Sequence, residues 1–326
     1  YVNVPFAIAV IAGLLVFMPS AVNRPRKFDL FGFAMLATFI AATQLLLDRG
    51  EGQGWLDSTE IALYLGAAVC ALWVFVIHSA TARHPFIDLT LFQNRNYVLA
   101  ISFIFVVGAL LLGAAVVTAP MLQTVQGYPA VTAGLIMAPR GIGSMMAMMI
   151  AGRILDRIDP RNLVFLAAFL LIVSLFMMTG FDTDMGPQLI IWSGVIQGLG
   201  FGFGFVPLST LAFATLPPHL RTEGASFNSL MRNFGGSVGV SIIATQIARD
   251  AQAHHARLAE QVNPFNPAFT DWLGPLRAAD ERTLALIDGE ITRQAVMMSY
   301  LDSFSLMMVA TILSLPLIML LRPTRR

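Results

Sequence analysis

The chain has 326 residues, of which 56% are hydrophobic and only 12% are charged, with a formal net charge of +1. Soluble domains carry roughly 25% charged residues, so this composition excludes a water-soluble shell and predicts an all-α membrane protein. The small net charge argues against nucleic acid as a partner, and the single cysteine, Cys70, excludes a disulfide framework. A large soluble protein with many buried helices would need amphipathic surface helices, and few are visible.

Nine segments are long and apolar enough to cross the roughly 30 Å of hydrocarbon, which takes about 20 residues. They lie near residues 3–21, 29–47, 60–79, 97–119, 132–152, 162–180, 188–214, 224–247 and 299–321. Pro120 and the polar segment 123–129 are expected to separate the fourth span from the fifth. The chain opens with Tyr1 inside the first span and shows no cleavable signal before it, so we expect a fragment.

Basic residues occupy alternate connections between these spans, a pattern typical of cytoplasmic loops. They lie at 24–27, 83–95, 153–161, 221 and 322–326, whereas the opposite short connections carry only Arg49 together with several carboxylates. This asymmetry predicts that the first span enters the cytoplasm and that the C-terminus is cytoplasmic. The long loop 248–298 then lies outside. Its ends are expected to continue the flanking helices, since Leu284, Ile287, Ile291 and Ala295 recur at helical spacing.

Three ionisable residues inside predicted spans are candidates for function, because at bilayer depth each costs roughly 2.5–3.5 kcal/mol without a partner or a water-filled cavity. Arg140 should point into the bundle, either lining a transport path or pinning helices together. Arg232 shares a helix face with Asn228, Gly235 and Gly239, and this face should pack inward. Asp302 lies near the outer end of the last span. Contact with interfacial water is the favoured interpretation, although Asp302 is the one carboxylate at a depth suited to a proton relay.

Small residues mark places where helices can approach closely or bend. The set comprises Pro139, Gly141, Gly143, Gly198, Gly200, Gly202, Gly204, Pro207, Gly235, Gly236 and Gly239. The alternating glycines at 198–204 invite comparison with nucleotide-binding loops, but no strand precedes them, so a flexible or tightly packed membrane helix is favoured. A methionine patch at 137–149 is interpreted as gap-filling rather than as an adaptable binding surface.

No arrangement of residues indicates catalysis or a metal site. The sequence contains no Ser-His-Asp set, paired carboxylates, HExxH or P-loop. Adjacent His254 and His255 face different directions on a helix and have no third ligand, so a solvated face is favoured over metal binding. We therefore expect no catalytic residues and no metal.

A loop between the fifth and sixth spans carries a recognisable pattern. Gly152, Arg153, Asp156, Arg157 and Arg161 resemble the G-x-x-x-D-R-x-G-R cytoplasmic gate motif of the major facilitator superfamily in its second-half copy. Residues 159–160 depart from the usual glycine region. Such an aspartate can accept from a neighbouring helix N-terminus, and the arginines can pair with carboxylates or lipid phosphates.

Further segments in the same order resemble the 14-helix drug:proton antiporters of the EmrB multidrug-export type, over nearly the whole chain. The matching pieces lie at residues 1–5, 47–55, 84–96, 120–130, 139–141, 205–217, 231–237 and 293–295. The resemblance implies that residues 1–23 are the last helix of an N-terminal bundle. Residues 24–96 would be two inserted transmembrane helices with cytoplasmic linkers. Residues 97–326 would be a C-terminal six-helix bundle.

The resemblance also implies a function: efflux of hydrophobic or amphipathic drugs against inward proton flow across the bacterial cytoplasmic (inner) membrane. The coupling ion would be the proton, with no cofactor, and a periplasmic adaptor and outer-membrane channel can complete the route in Gram-negative relatives. The family's antiporter motif and membrane carboxylates would precede Tyr1, so this part alone should not transport. Alternatives are a transporter of one metabolite on the same fold, or a non-transport membrane enzyme or assembly protein.

Overall fold

The computed structural model describes residues 3–17, 28–50, 52–262 and 281–321. The basic residues at 24–27 and 322–326, Glu51 and the prolines at 264–275 lie outside these ranges. Within them the chain forms nine long helices and no strand. The helices are α1 Asn3–Phe17, α2 Leu30–Gly50, α3 Thr59–Thr81, α4 Arg95–Pro120, α5 Ala130–Ile154, α6 Pro160–Met178, α7 Pro187–Ala214, α8 Arg221–Glu260 and α9 Glu281–Met319.

The helices agree with the prediction of an all-α membrane protein. Seven of those described, α2 to α7 and α9, are long and apolar enough to cross a membrane. The apolar part of α1, Val4–Val16, is shorter. Helix α8 is long, but it carries Arg232 and many small polar residues, and its glycines pack against α4 rather than lipid. Each of the nine predicted spans therefore coincides with a described helix, in whole or in part.

The predicted separation of the fourth and fifth spans lies within the polar segment 123–129, as expected, but the helix does not break at Pro120. Helix α4 runs through Pro120 into a wide turn, Met121–Val125, and the chain breaks only at 126–129. Backbone groups around the proline find other partners: the Thr124 hydroxyl donates to the Pro120 carbonyl at 2.9 Å, and the Gln126 amide donates to the Met121 carbonyl at 3.2 Å. Such adjustments let a membrane helix tolerate proline.

Helices α4 to α9 pack as one bundle, and close glycine contacts set the pairing of its helices. On α8, Gly235 and Gly239 lie against the α4 backbone at Phe105 and Ala109, so the face predicted for Arg232 does pack inward. Gly236 on the same helix meets the Leu112 side chain. Because the numbering rises along both helices at these contacts, α4 and α8 run parallel. The helices can approach this closely because glycine has no side chain.

Helix α7 lies between α5 and α6, and its alternating glycines allow it to pack closely against both. Gly198 and Gly202 lie against the α5 backbone near Arg140 and Ser144, whereas Gly200 and Gly204 lie against Leu171 and Ala167 of α6. Residues two apart on a helix point in nearly opposite directions, so the run forms two glycine stripes on opposite faces. Of the two alternatives kept for this run, the tightly packed helix is the one observed.

The α2–α3 hairpin is attached to the bundle near both of its ends. At one end, Leu36 and Phe75 pack in a buried cluster with Ile87 and Leu91 of the linker that leads into α4. Towards the other end, the Ser241 hydroxyl of α8 donates to the Leu47 carbonyl at 2.6 Å. The hairpin is therefore held by packing at the end predicted to be cytoplasmic and by a hydrogen bond further along.

Asp29, immediately before α2, organises the first of these attachments. Its carboxylate accepts from the backbone amides of Gly32 and Phe86, each at 2.9 Å, and lies 3.0 Å from the His78 Nε2 atom. Burial raises the pKa of Asp29, but the hydrogen bonds from Gly32, His78 and Phe86 outweigh it and hold that pKa below its ordinary value. One charged group thus joins α2, α3 and the following linker.

The ends of the loop 248–298 continue the flanking helices, as predicted. Helix α8 extends to Glu260 and α9 starts at Glu281. Of the residues at helical spacing, Ile287 and Ala295 are buried, while Leu284 is exposed. Further along α9, the Arg293 guanidinium donates to the backbone carbonyls of Val125 at 3.2 Å and Thr183 at 2.9 Å. These bonds connect α9 to the turn that follows α4 and to the α6–α7 loop.

Candidate binding cavity and membrane charges

A cavity of about 630 Å³ lies between α4, α5, α7 and α8. Its walls are mainly apolar, with two arginines and one serine. The lining residues are Val107, Leu111, Leu112, Ala115, Met137, Arg140, Gly141, Ser144, Met148, Gly198, Phe201, Phe205 and Arg232. A concave, largely apolar pocket with a few polar groups is typical of a small-molecule site.

Arg140 extends into this cavity from the middle of α5, as its position in the sequence predicted. One guanidinium nitrogen donates to the Leu111 carbonyl of α4 at 3.2 Å. The guanidinium carbon lies 5.3 Å from the centre of the Phe201 ring on α7. Both contacts cross to another helix, so they are compatible with helix pinning, while the position in the wall is compatible with a transport path. The two roles stay open.

Arg232 enters the same cavity from α8. Its guanidinium carbon lies 5.4 Å from the centre of the Phe205 ring, so each arginine is placed over one phenylalanine of α7. A cation over an aromatic face is attracted by roughly 0.5–2 kcal/mol. Asn228, one helical turn earlier, is buried but does not line the cavity. The structure thus separates the predicted pair Asn228 and Arg232 into a packing position and a cavity position.

The small residues near the cavity have different surroundings. Gly143 allows close approach of α7, because a Cβ there would lie 2.7 Å from the Val195 carbonyl oxygen. Gly141 was expected to do the same, but a Cβ there would meet nothing within 4 Å, so that expectation is wrong. Gly141 instead faces the cavity. Pro139 and Pro207 both lie inside continuous helices.

The methionine patch of α5 divides into two parts. Met137 and Met148 contribute to the cavity wall. Met145, Met146 and Met149 are exposed on the described surface. Unbranched, polarisable side chains adapt to ligands of different shape. The interpretation as simple gap-filling is therefore incomplete for the two methionines that line the cavity.

Asp302 on α9 is paired with a histidine that the sequence analysis assigned to a solvated face. The His254 Nε2 atom lies 2.7 Å from an Asp302 carboxylate oxygen, with the His254 side chain only 13% exposed and that of Asp302 47% exposed. The solvated-face interpretation is wrong for His254. Nine residues separate Asp302 from Arg293, which corresponds to roughly 13 Å along α9. The pair therefore lies further along α9 than the level at which Arg293 bonds to Val125, and Asp302 is near the outer end predicted for the last span.

His255 illustrates why the two adjacent histidines have different surroundings. Its Nε2 atom lies 3.1 Å from the Asp288 carboxylate, and both side chains are more exposed than those of the first pair. Neighbouring residues on a helix point about 100° apart, so the two imidazoles bind different partners on α9. Among the residues that the structure describes, no cluster of three His, Cys, Asp or Glu side chains could hold a metal ion.

Known proteins of similar sequence indicate the family to which this chain belongs. A family model described as the Major Facilitator Superfamily matches residues 2–240. The chain belongs to the major facilitator superfamily. Three relatives extend the match towards the C-terminus. The multidrug export protein EmrB of Escherichia coli strain K12 is 32% identical over 310 residues, covering 93% of this chain and 60% of the relative.

Two further relatives are named as resistance proteins. The probable multidrug resistance protein EmrY of Escherichia coli strain K12 is 30% identical over 332 residues, covering 99% of this chain and 64% of the relative. The fatty acid resistance protein FarB of Neisseria gonorrhoeae is 30% identical over 302 residues, covering 90% and 59%. The chain thus spans about 60% of the length of the curated relatives it matches.

In this superfamily member the predicted gate motif forms the exposed connection between α5 and α6. Gly152 and Arg153 lie in the last turn of α5, Asp156 and Arg157 lie in the connection, and Arg161 lies in the first turn of α6. We expected Asp156 to accept from a helix N-terminus. The carboxylate that does so within this loop is Asp159, which accepts from the Arg161 amide at 3.0 Å. The residues that replace the usual glycine region, 159–160, thus form the N-cap and first residue of α6.

Several contacts between helices were not predicted from the sequence. The residues that form them are His254, Asp29 and Tyr97. The buried Tyr97 hydroxyl of α4 donates to the Gly224 carbonyl of α8 at 2.9 Å. A tyrosine at the start of a span is also typical of the membrane interface, so its sequence position gives no hint of this bond. The one available signal was Asp29 directly before a span, where an N-terminal capping carboxylate is expected.

Proposed function

We propose that the protein containing this chain exports hydrophobic or amphipathic compounds across the cytoplasmic membrane in exchange for protons. The observation that carries the proposal is the 630 Å³ cavity midway along α4, α5, α7 and α8. Secondary transporters bind substrates near the bilayer midplane between packed helices. The printed names of the relatives, which include multidrug export and fatty acid resistance proteins, support export of such compounds.

The proposed transport cycle follows the architecture expected for the family. Residues 97–326 act as the C-terminal bundle, residues 1–23 belong to an N-terminal bundle, and residues 24–96 supply the inserted hairpin. The loop 152–161 acts as a cytoplasmic gate through its arginines. Arg140 lines the path as well as contacting α4. The C-terminus is cytoplasmic, and in a Gram-negative cell an adaptor and an outer-membrane channel receive the substrate.

Proton coupling in this half is proposed for the pair formed by His254 and Asp302. The pair joins α8 to α9 near the outer end predicted for the last span, and Asp302 is half exposed. Intramembrane ionisable groups that reach a water-filled cavity are frequent parts of proton relays. The pair formed by His255 and Asp288 has the same chemistry but lies nearer the start of α9, where both side chains are more exposed. It therefore offers a matched control.

The test is drug susceptibility of an efflux-deficient host that expresses the full-length protein, with and without a protonophore. We expect resistance to several hydrophobic compounds and its loss when the proton gradient collapses. Arg140→Ala should reduce resistance at unchanged protein level, and unaltered resistance would exclude a role for Arg140 in the path. Sensitivity to one metabolite without drug resistance would favour a metabolite transporter on the same fold.

Coupling is measured separately, as proton-driven uptake of a fluorescent substrate into inverted vesicles. Asp302→Asn should abolish the response to an imposed pH gradient, because an amide cannot exchange a proton. Asp288→Asn should leave the response intact. If both variants respond like the wild type, Asp302 is not part of the coupling machinery.

A further inference from the structure

The hairpin α2–α3 contacts α8 at two well-separated points. Midway along α2, the centroid of the Phe39 ring lies 5.8 Å from that of the Phe234 ring of α8. Eight residues later, the Leu47 carbonyl accepts from the Ser241 hydroxyl of α8 at 2.6 Å. Eight helical residues correspond to roughly 12 Å. Because the numbering rises along both helices between the two contacts, α2 runs parallel to α8 over this length.

The linker between α3 and α4 joins the same two helices where they begin. Its Phe86 amide donates to the Asp29 carboxylate, immediately before α2, at 2.9 Å. Its Asp88 amide donates to the Glu223 carboxylate, in the first turn of α8, at 3.3 Å. Ile87, between these two donors, is buried in a cluster with residues of both hairpin helices. The linker therefore makes a third connection between the hairpin and α8.

Connections at the start and near the end of α2 restrain the hairpin more than a contact at one end could. A single contact acts as a pivot, whereas contacts some distance apart oppose rotation, because turning about one of them breaks the other. The Phe234 ring extends the connection further, since its centroid also lies 6.0 Å from that of the Phe105 ring on α4. Close packing and interhelical hydrogen bonds are what hold membrane helices together. The hairpin is thus fastened to two of the helices that line the cavity.

We propose that the hairpin α2–α3 and the linker 82–94 move with the C-terminal bundle as one rigid body during transport. This inference rests on the proposed function, because movement of one helix bundle against another is the transport cycle proposed there. Rocking of this kind changes the contacts between the moving bodies and preserves the contacts within each. If the hairpin moved with α1 instead, its connections to α8 at Phe39, at Leu47 and through the linker would all have to break in each cycle. The boundary between the two bodies therefore lies before Asp29.

The first test measures distances between spin labels on the full-length protein in lipid nanodiscs by double electron–electron resonance. Its native cysteines are replaced by serine, including Cys70→Ser, and the labels are attached at exposed positions. The pair Trp73→Cys with Phe176→Cys joins α3 to α6 of the bundle. The pair Trp73→Cys with Leu15→Cys joins α3 to α1. Distances are recorded at acid and at alkaline pH, because protons shift the populations of states that bind them with different affinity.

We expect the distance between α3 and α6 to be the same at both pH values, because both labels then belong to one body. The distance between α1 and α3 should shift with pH, because these helices then belong to different bodies. A shift in the α3–α6 distance would overturn the inference, since the hairpin would then move relative to the C-terminal bundle.

The second test cross-links the hairpin to the bundle and measures export. In the same cysteine-free background, Phe39→Cys with Phe234→Cys places two thiols across the α2–α8 contact, where a short bifunctional thiol reagent can join them. Arg49→Cys with Glu60→Cys is the matched control, because these side chains form an ion pair at 2.6 Å between the two helices of the hairpin itself. Export by each double variant is compared before and after cross-linking.

Both cross-linked variants should retain export, because neither cross-link joins parts that move relative to one another. Loss of export only in the variant cross-linked between α2 and α8 would contradict the rigid body. Failure of the wild type to export any compound would contradict the proposed function instead, and the spin-label distances would still decide whether the hairpin moves with the bundle.

Discussion

Substitution of Gly239 by alanine tests whether the α4–α8 contact determines how the bundle packs. A Cβ at this position would lie 2.6 Å from the Ala109 Cα and carbonyl oxygen and 2.7 Å from its Cβ. Non-bonded carbon atoms pack best at about 3.5–4.0 Å. The helices would therefore have to separate by about 1 Å at this point. No flexible side chain can move aside, since the atoms that would clash belong to the backbone or to alanine.

Overpacking of this kind costs roughly 1–3 kcal/mol. Each kcal/mol shifts the melting midpoint by roughly 2–4 °C in domains of 150–250 residues, and a chain of 326 residues should respond at or below the lower end. We therefore expect Gly239→Ala to lower the midpoint of the full-length protein in detergent by no more than about 6 °C. The measurement is thermal unfolding followed by fluorescence-detected size exclusion.

Gly66 in α3 supplies the matched control, because it is also a glycine within a membrane helix but a Cβ there would meet nothing within 4 Å. Gly66→Ala should leave the midpoint unchanged or raise it slightly, since alanine restricts the unfolded chain. Equal midpoints for the two variants would refute the argument that this glycine sets the distance between α4 and α8.

Three further changes address single contacts. Tyr97→Phe removes the bond to the Gly224 carbonyl but keeps the ring, so thermal unfolding should show a loss of about 1 kcal/mol. Asp159→Ala removes the cap of α6 and should cost about 1 kcal/mol, whereas Asp156→Ala should leave the melting midpoint unchanged. The lowered pKa of Asp29 means that its carboxylate stabilises the fold above the ordinary aspartate pKa, and this contribution disappears as the pH falls through the lowered value. Melting midpoints measured across pH should show that the Asp29→Asn variant is less stable than the wild type at neutral pH. As the pH falls, the midpoint of the variant should decrease less than that of the wild type.

The membrane class of the fold follows from sequence because it rests on solvation alone. Long apolar runs exclude a soluble shell wherever the helices pack, and this reasoning identified segments that coincide with all nine described helices. The glycine run at 198–204 was also predictable as a packed helix, since closely spaced glycines in an apolar segment favour helix contact. Which helix each glycine meets requires the tertiary structure: Gly141 and Gly143 lie two residues apart, yet only Gly143 contacts α7.

The charged contacts were harder to predict than the spans. Forty-eight residues separate His254 from Asp302, and 57 separate Asp29 from Phe86. Contacts of this kind form only after helices have packed, so no local pattern of residues indicates them. Arg140 is different: a charge in an apolar span must avoid lipid, which was enough to predict its direction but not its partner Phe201.

The glycine stripe of α7 that faces α5 implies that residues close to the cavity differ in how freely they can change under selection. Any side chain larger than hydrogen at Gly198 or Gly202 would collide with the α5 backbone, so neither glycine can be replaced without moving α5 and α7 apart. Met137 and Met148 stand in the same cavity and can be exchanged for other apolar residues of similar volume at small cost. If the protein exports compounds as proposed, changes in the range of its substrates should therefore arise by substitutions at these methionines, while Gly198 and Gly202 stay unchanged.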